Sequence, residues 1–225
     1  MQLEPTRPSK SQNGIPEPGT PRGVDWKSEA RRSRRKLTPS SLVYGVAGFV
    51  LLTPEMNDSA WEGPAFVLAL LAFTGIEYAV HRFLLHGRFP NGPGRVRRFL
   101  HRRLDHLHYI HHLRPWDGAH MNGSLRDTLP LTVPLVIAAL AAPPPTAAFV
   151  GTLLLAYLAE EWTHHSLHYG RSKNRILVRL RRRHHVHHSP RGKDRVYGLT
   201  SGVWDFALGT GRLSSSSRSR AESTC

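Results

Sequence analysis

Four stretches of the chain are almost wholly apolar, at residues 42–53, 64–80, 129–142 and 147–159, and polar or charged segments separate them. The second is long enough to read as a membrane helix. The first is shorter than the roughly 20 residues that cross the hydrocarbon core, so it either extends back through Ser40 and Ser41 or inserts only partway. The third and fourth are joined by Pro143-Pro144-Pro145-Thr146, an uncharged turn short enough to keep two helices antiparallel. The pattern predicts an all-α chain with four transmembrane or re-entrant helices in two hairpins.

Charge orients that arrangement. Lys and Arg number 31 against 16 Asp and Glu, a formal balance of +15, which points to an anionic membrane surface or nucleic acid as partner. The basic residues gather before residue 37, between Arg82 and Arg114, and between Arg171 and Arg195, with apolar stretches between the groups. That alternation argues for the lipid bilayer and against nucleic acid. The 54–63 segment carries Glu55, Asp58 and Glu62 and no basic residue. The positive-inside rule therefore puts it outside and both termini in the cytoplasm. A soluble helical protein whose apolar runs are core helices is the competing reading.

Residues 1–36 are Pro-rich and basic, the composition of a disordered tail, ending in Arg31-Arg32-Ser33-Arg34-Arg35-Lys36 as a juxtamembrane anchor. No apolar signal-peptide core precedes residue 37, and residues 212–225 read as a second, Ser-rich tail. The single cysteine, Cys225, removes disulfides and thiolate metal sites from consideration.

The chemistry lies in the histidines. All 15 fall between His81 and His188, and ten of them form four spaced groups: His81 and His86; His108, His111 and His112; His164 and His168; His184, His187 and His188. Residues three and four apart share a helix face, so each triplet is expected to project into one pocket. His81 and His86, five apart, need a helix end, a π-bulge or the following Gly87 to meet. Neutral imidazole ligates iron, zinc, copper and nickel. Ten convergent imidazoles exceed one ion's needs, which implies two metals. His101, His106, His120, His165 and His185 read as bystanders or supporting groups.

These spacings, His-x4-His, His-x2-His-His, His-x3-His and His-x2-His-His, resemble the fatty acid hydroxylase (sterol desaturase) superfamily of membrane di-iron enzymes. The resemblance is closest to its fatty acid 2-hydroxylase branch. It rests on Glu77-Tyr78 before His81, Pro115-Trp116-Asp117-Gly118 after His112, His168-Tyr169-Gly170, and Gly198-Leu199-Thr200 with Trp204-Asp205. Arg183 and Leu104 depart from it, standing where the branch often has histidines. So does the amino-terminal region, where no histidine precedes His81 to match the His-Pro-Gly-Gly of a fused cytochrome b5 domain.

The resemblance implies a catalytic domain over 37–211 with its active site in a cytoplasmic, histidine-rich helical cap, and the Arg-, Ala- and Pro-rich composition suggests a bacterial plasma membrane. It implies two iron ions held by the ten grouped histidines, with zinc a possible occupant of purified protein. It also implies O2-dependent hydroxylation of a fatty acyl lipid, with electrons from a separate ferredoxin, cytochrome or reductase. Glu77, Asp117 and Glu161 are expected to orient ligand imidazoles by accepting their second ring N–H. Two other functions use the same pattern: a carotenoid or sterol hydroxylase or desaturase, and a non-enzymatic histidine-rich metal-binding membrane protein.

Overall fold

The computed structural model describes residues 23–53, 60–87, 94–190, 192 and 194–211; the expected tails at 1–22 and 212–225 and most of the 54–63 segment lie outside them. The described residues contain eight α-helices and no strand. α1 (Trp26–Leu51) starts at Asp25, whose carboxylate caps the amide of Lys27. Its first eleven residues fall inside the stretch expected to be tail, because Ala30 and Ser33 are buried against the body. At about 1.5 Å per residue its 26 residues span about 39 Å, so the short apolar run at 42–53 is the far end of a longer helix.

α2 (Glu62–Ala79) continues into a π-turn at Val80–Leu85. α3 (Arg95–Leu100) and α4 (His106–Leu113) are joined through a second π-turn at His101–Asp105. α5 (Leu125–Ala141) opens on a capping box between Ser124 and Asp127. α6 (Pro144–Tyr169) begins with proline in its first turn, and α7 (Arg175–His188) begins where Asn174 accepts from the amides of Ile176 and Leu177. The short α8 (Val203–Ala207) follows the last histidines.

α6 is the hub, packing against α1, α2, α5 and α7. The first two long helices therefore do not pair mainly with one another as a simple hairpin; each packs on α6. Small residues explain the close approach: a Cβ on Gly151 would lie 3.0 Å from both the Gly48 carbonyl oxygen and Leu51 Cβ. Tyr44, Leu51, Ala139, Ala147, Val150 and Leu154 form the core between α1, α5 and α6. Outward-facing positions are apolar too, including Leu42 and Phe49 on α1, Val67 and Leu71 on α2, and Leu131 and Ile137 on α5. Among the described residues one helix, Glu62–Leu85, is long and apolar enough to cross a membrane.

Candidate metal centre

The ten grouped histidines come together at one end of the helices as two sets of five. His81, His86, His108, His112 and His187 form the first; His111, His164, His168, His184 and His188 form the second. Within each set the potential ligand atoms all lie within 4.8 Å of one another. The π-turn does what the His81/His86 spacing requires: the His86 amide donates to the His81 carbonyl at 3.1 Å, an i→i+5 bond that widens the turn until both imidazoles face the same point.

Neither triplet enters a single pocket, contrary to the reading of their spacing. His108 and His112 join the first set while His111 joins the second; His184 and His188 join the second while His187 joins the first. Residues four apart deviate by only about 40° around a helix, whereas adjacent residues diverge by about 100°. The i,i+4 pair therefore stays together and the neighbouring residue turns to the other side.

The contacts inside each set do not behave as hydrogen bonds. His108 Nε2 faces the Nε2 atoms of His81, His86 and His112 at 3.1, 3.0 and 3.1 Å. His81 Nδ1 lies 2.5 Å from the Tyr197 carbonyl oxygen and His187 Nδ1 lies 2.8 Å from that of Arg195. A carbonyl only accepts, so both Nδ1 atoms carry protons and both Nε2 atoms present lone pairs. In the second set His164 and His111 Nε2 are 3.1 Å apart, as are those of His188 and His184. Imidazole nitrogens about 2.1 Å from a common ion and at right angles to each other sit about 3 Å apart. Each set fits a metal ion.

Burial keeps the rings of α4 and α7 neutral. It holds His108, His111, His184 and His188 well below the ordinary histidine range, and neighbouring imidazoles add to the effect. The same burial lowers His112 to about 2 and His187 to about 4.

The three carboxylates expected to orient these rings do other work. Glu77, one turn before His81, accepts from the amides of Leu199 and Thr200 at 2.5 and 3.0 Å and from the Thr200 hydroxyl. Asp117 accepts from His120 Nδ1 at 2.8 Å and from the Ala119 amide. Glu161 accepts from Asn122 and Tyr157, and Asn122 in turn accepts from Ser33, whose hydroxyl meets His165 Nδ1 at 2.9 Å. None of them bonds one of the ten clustered imidazoles, because each points toward a loop or α1 and away from the rings. His101, beside Asp105 at 2.8 Å, and His106, His120, His165 and His185 lie outside both sets.

Backbone carbonyls of the segment after α7 take that orienting role, a feature with no side-chain signal in the sequence. Asp205, 1% exposed, is the other residue that spacing missed. Its sequence signals are its place in the Trp204-Asp205 motif and a lone acid in the otherwise apolar 203–208 stretch.

The fatty acid hydroxylase family model matches residues 66–210, from α2 to the end of the described chain. The chain belongs to the fatty acid hydroxylase family. Within this family it is similar to a dihydroceramide fatty acyl 2-hydroxylase of Arabidopsis thaliana, with 33% identity over 150 residues, 66% of this chain and 60% of that one. It is also 30% identical over 184 residues to the fatty acid 2-hydroxylase of Mus musculus, covering 72% of this chain and 44% of that protein. The chain thus spans no more than about 60% of the length of these curated relatives. The fold matches the hydroxylase domain of scs7p with a TM-score of 0.60 at 22% identity, over 86% of this chain and 74% of that one.

Proposed function

We propose that this fatty acid hydroxylase family member is an O2-dependent, membrane-embedded di-iron enzyme that hydroxylates an aliphatic C–H of a lipid acyl chain, at the 2-position of a fatty acid or fatty acyl lipid. The observation that carries the reading is the pair of five-imidazole sets sharing α4 and α7. His81, His86, His108, His112 and His187 would hold one iron, and His111, His164, His168, His184 and His188 the other. Bound iron supplies the redox capacity that oxidation of an unactivated C–H needs and that zinc lacks.

The protein's own contribution is positional and electrostatic. Burial keeps the ligand rings of α4 and α7 unprotonated. The carbonyls of Arg195 and Tyr197 fix two ring orientations. The apolar outer faces of α1, α2 and α5 would contact acyl chains, with the histidine end and both termini at the cytoplasmic boundary, as the arginine distribution favours. An acyl substrate then enters from the bilayer side while a separate ferredoxin, cytochrome or reductase delivers electrons from the cytoplasm.

The test is lipid mass spectrometry on a host lacking related hydroxylases, expressing either the wild-type chain or a His108→Ala/His111→Ala variant together with a ferredoxin and its reductase. Acyl species heavier by one oxygen in wild type alone support the proposal, and fragment ions locate the carbon. A hydroxylated carotenoid or sterol replaces the substrate assignment. Unchanged lipids in cells whose purified protein carries iron overturn the enzymatic reading.

A further inference from the structure

Two of the five rings in the first set are oriented by backbone atoms two residues apart, the carbonyls of Arg195 and Tyr197. The residue between them, Val196, has φ 59°, a left-handed conformation that a β-branched side chain rarely adopts and that persists only where its surroundings over-determine it. Those surroundings converge on Asp205. One carboxylate oxygen accepts from the Tyr197 amide at 2.9 Å and the Thr210 hydroxyl at 2.7 Å. The other accepts from the Gly198 amide at 2.8 Å and from Arg183 Nη2 at 2.7 Å. The Val196 amide is taken by the Thr210 carbonyl at 3.1 Å, which ties the strained residue to the same point.

We propose that Asp205 is the positioning residue of the first histidine set, and of that set alone. By holding the amides of Tyr197 and Gly198, it fixes the carbonyls that keep the Nδ1 protons of His81 and His187 in place and aim their Nε2 lone pairs at a common ion. In the second set His111 Nδ1 and His188 Nδ1 are buried without a hydrogen-bond partner. The inference rests on reading the two sets as metal sites. Arg183, which departs from the expected histidine pattern, becomes the counter-charge of this anchor: a Cβ on Gly202 would meet its guanidinium at 2.7 Å, so the glycine leaves room for the pair.

An asparagine at 205 keeps one accepting oxygen but presents an NH2 to groups that are themselves donors. The experiment is zinc titration of the full-length, metal-stripped chain in detergent, with zinc as the probe because it binds imidazole and does not cycle. The wild type is expected to take two ions. Asp205→Asn should take one ion at wild-type affinity and bind the other about 10–100-fold more weakly, the usual cost of losing a group that supports a ligand. Arg183→Gln, which leaves the bonds to the amides in place, should weaken the same ion by a smaller factor and serves if Asp205→Asn does not fold. Two wild-type affinities in both variants overturn the proposal. So does equal weakening of both ions, which marks a merely structural role. A wild-type chain that binds no zinc overturns the metal-site reading itself.

Discussion

The His86 amide bonds the His81 carbonyl at 3.1 Å, so two histidines five residues apart close a single widened turn. The first set depends on that register. One alanine inserted after Phe83 separates the pair by six residues, which share no face in either α- or π-geometry. On the proposed function, the insertion should abolish hydroxylation and lower the metal bound from two ions per chain to one, measured by elemental analysis. Retention of both metals would show that the π-turn is dispensable.

The interleaving of His111 with His112 makes a second prediction about additivity. Removing two ligands of one set, as in His108→Ala/His112→Ala, should cost one metal, the same as either single change. His111→Ala/His112→Ala cuts both sets and should cost two. Coupled groups show this kind of non-additivity whereas independent ones sum. Equal metal content in the two double variants would contradict the assignment of sets.

Acid should destabilise the metal-free protein. Burial lowers His187 to about 4 and His112 to about 2 in the folded chain, against about 6.5 when unfolded. Below pH 6.5 the unfolded chain therefore binds more protons, and stability falls with decreasing pH until the folded values are reached. The thermal midpoint of stripped protein in detergent should be level from pH 8 to 7 and drop steadily between pH 6.5 and 4. A flat profile would mean that these rings are not held neutral.

Helix packing gives a prediction independent of metal. Gly151→Leu forces side-chain atoms into the Gly48 backbone contact and should cost about 1–3 kcal/mol as overpacking. Asn122→Ala leaves the buried Glu161 and Ser33 each missing a partner and should cost a similar amount. Urea or thermal titrations of the stripped protein read both effects.

The sequence carried the ten converging histidines because ligand chemistry is written in residue type and short spacing. It did not carry their partition, since i, i+3 and i+4 positions look equivalent until the helix axis is placed between two neighbours. The supporting carboxylates were misread for a related reason: Glu77 and Glu161 sit beside ligands in the chain, but a helical residue points where its own azimuth takes it. Asp205 was visible as part of the Trp204-Asp205 motif, but its bonds to the amides of Tyr197 and Gly198 leave no trace in side-chain patterns. Long helices were visible in hydropathy, but the use of α6 as a common partner depends on the stacking of Gly48 on Gly151.

α7 contributes to both sets through His184, His187 and His188, and it is the last of the ligand-bearing helices. The first set cannot be completed before His187 is made, nor the second before His188. The growing polypeptide can thread and pack its earlier helices first, and, with the sets read as metal sites, ion capture by a complete set comes only after α7 has been made. A premature stop anywhere before α7 would yield a chain with no complete five-histidine set, not one with half its metal complement.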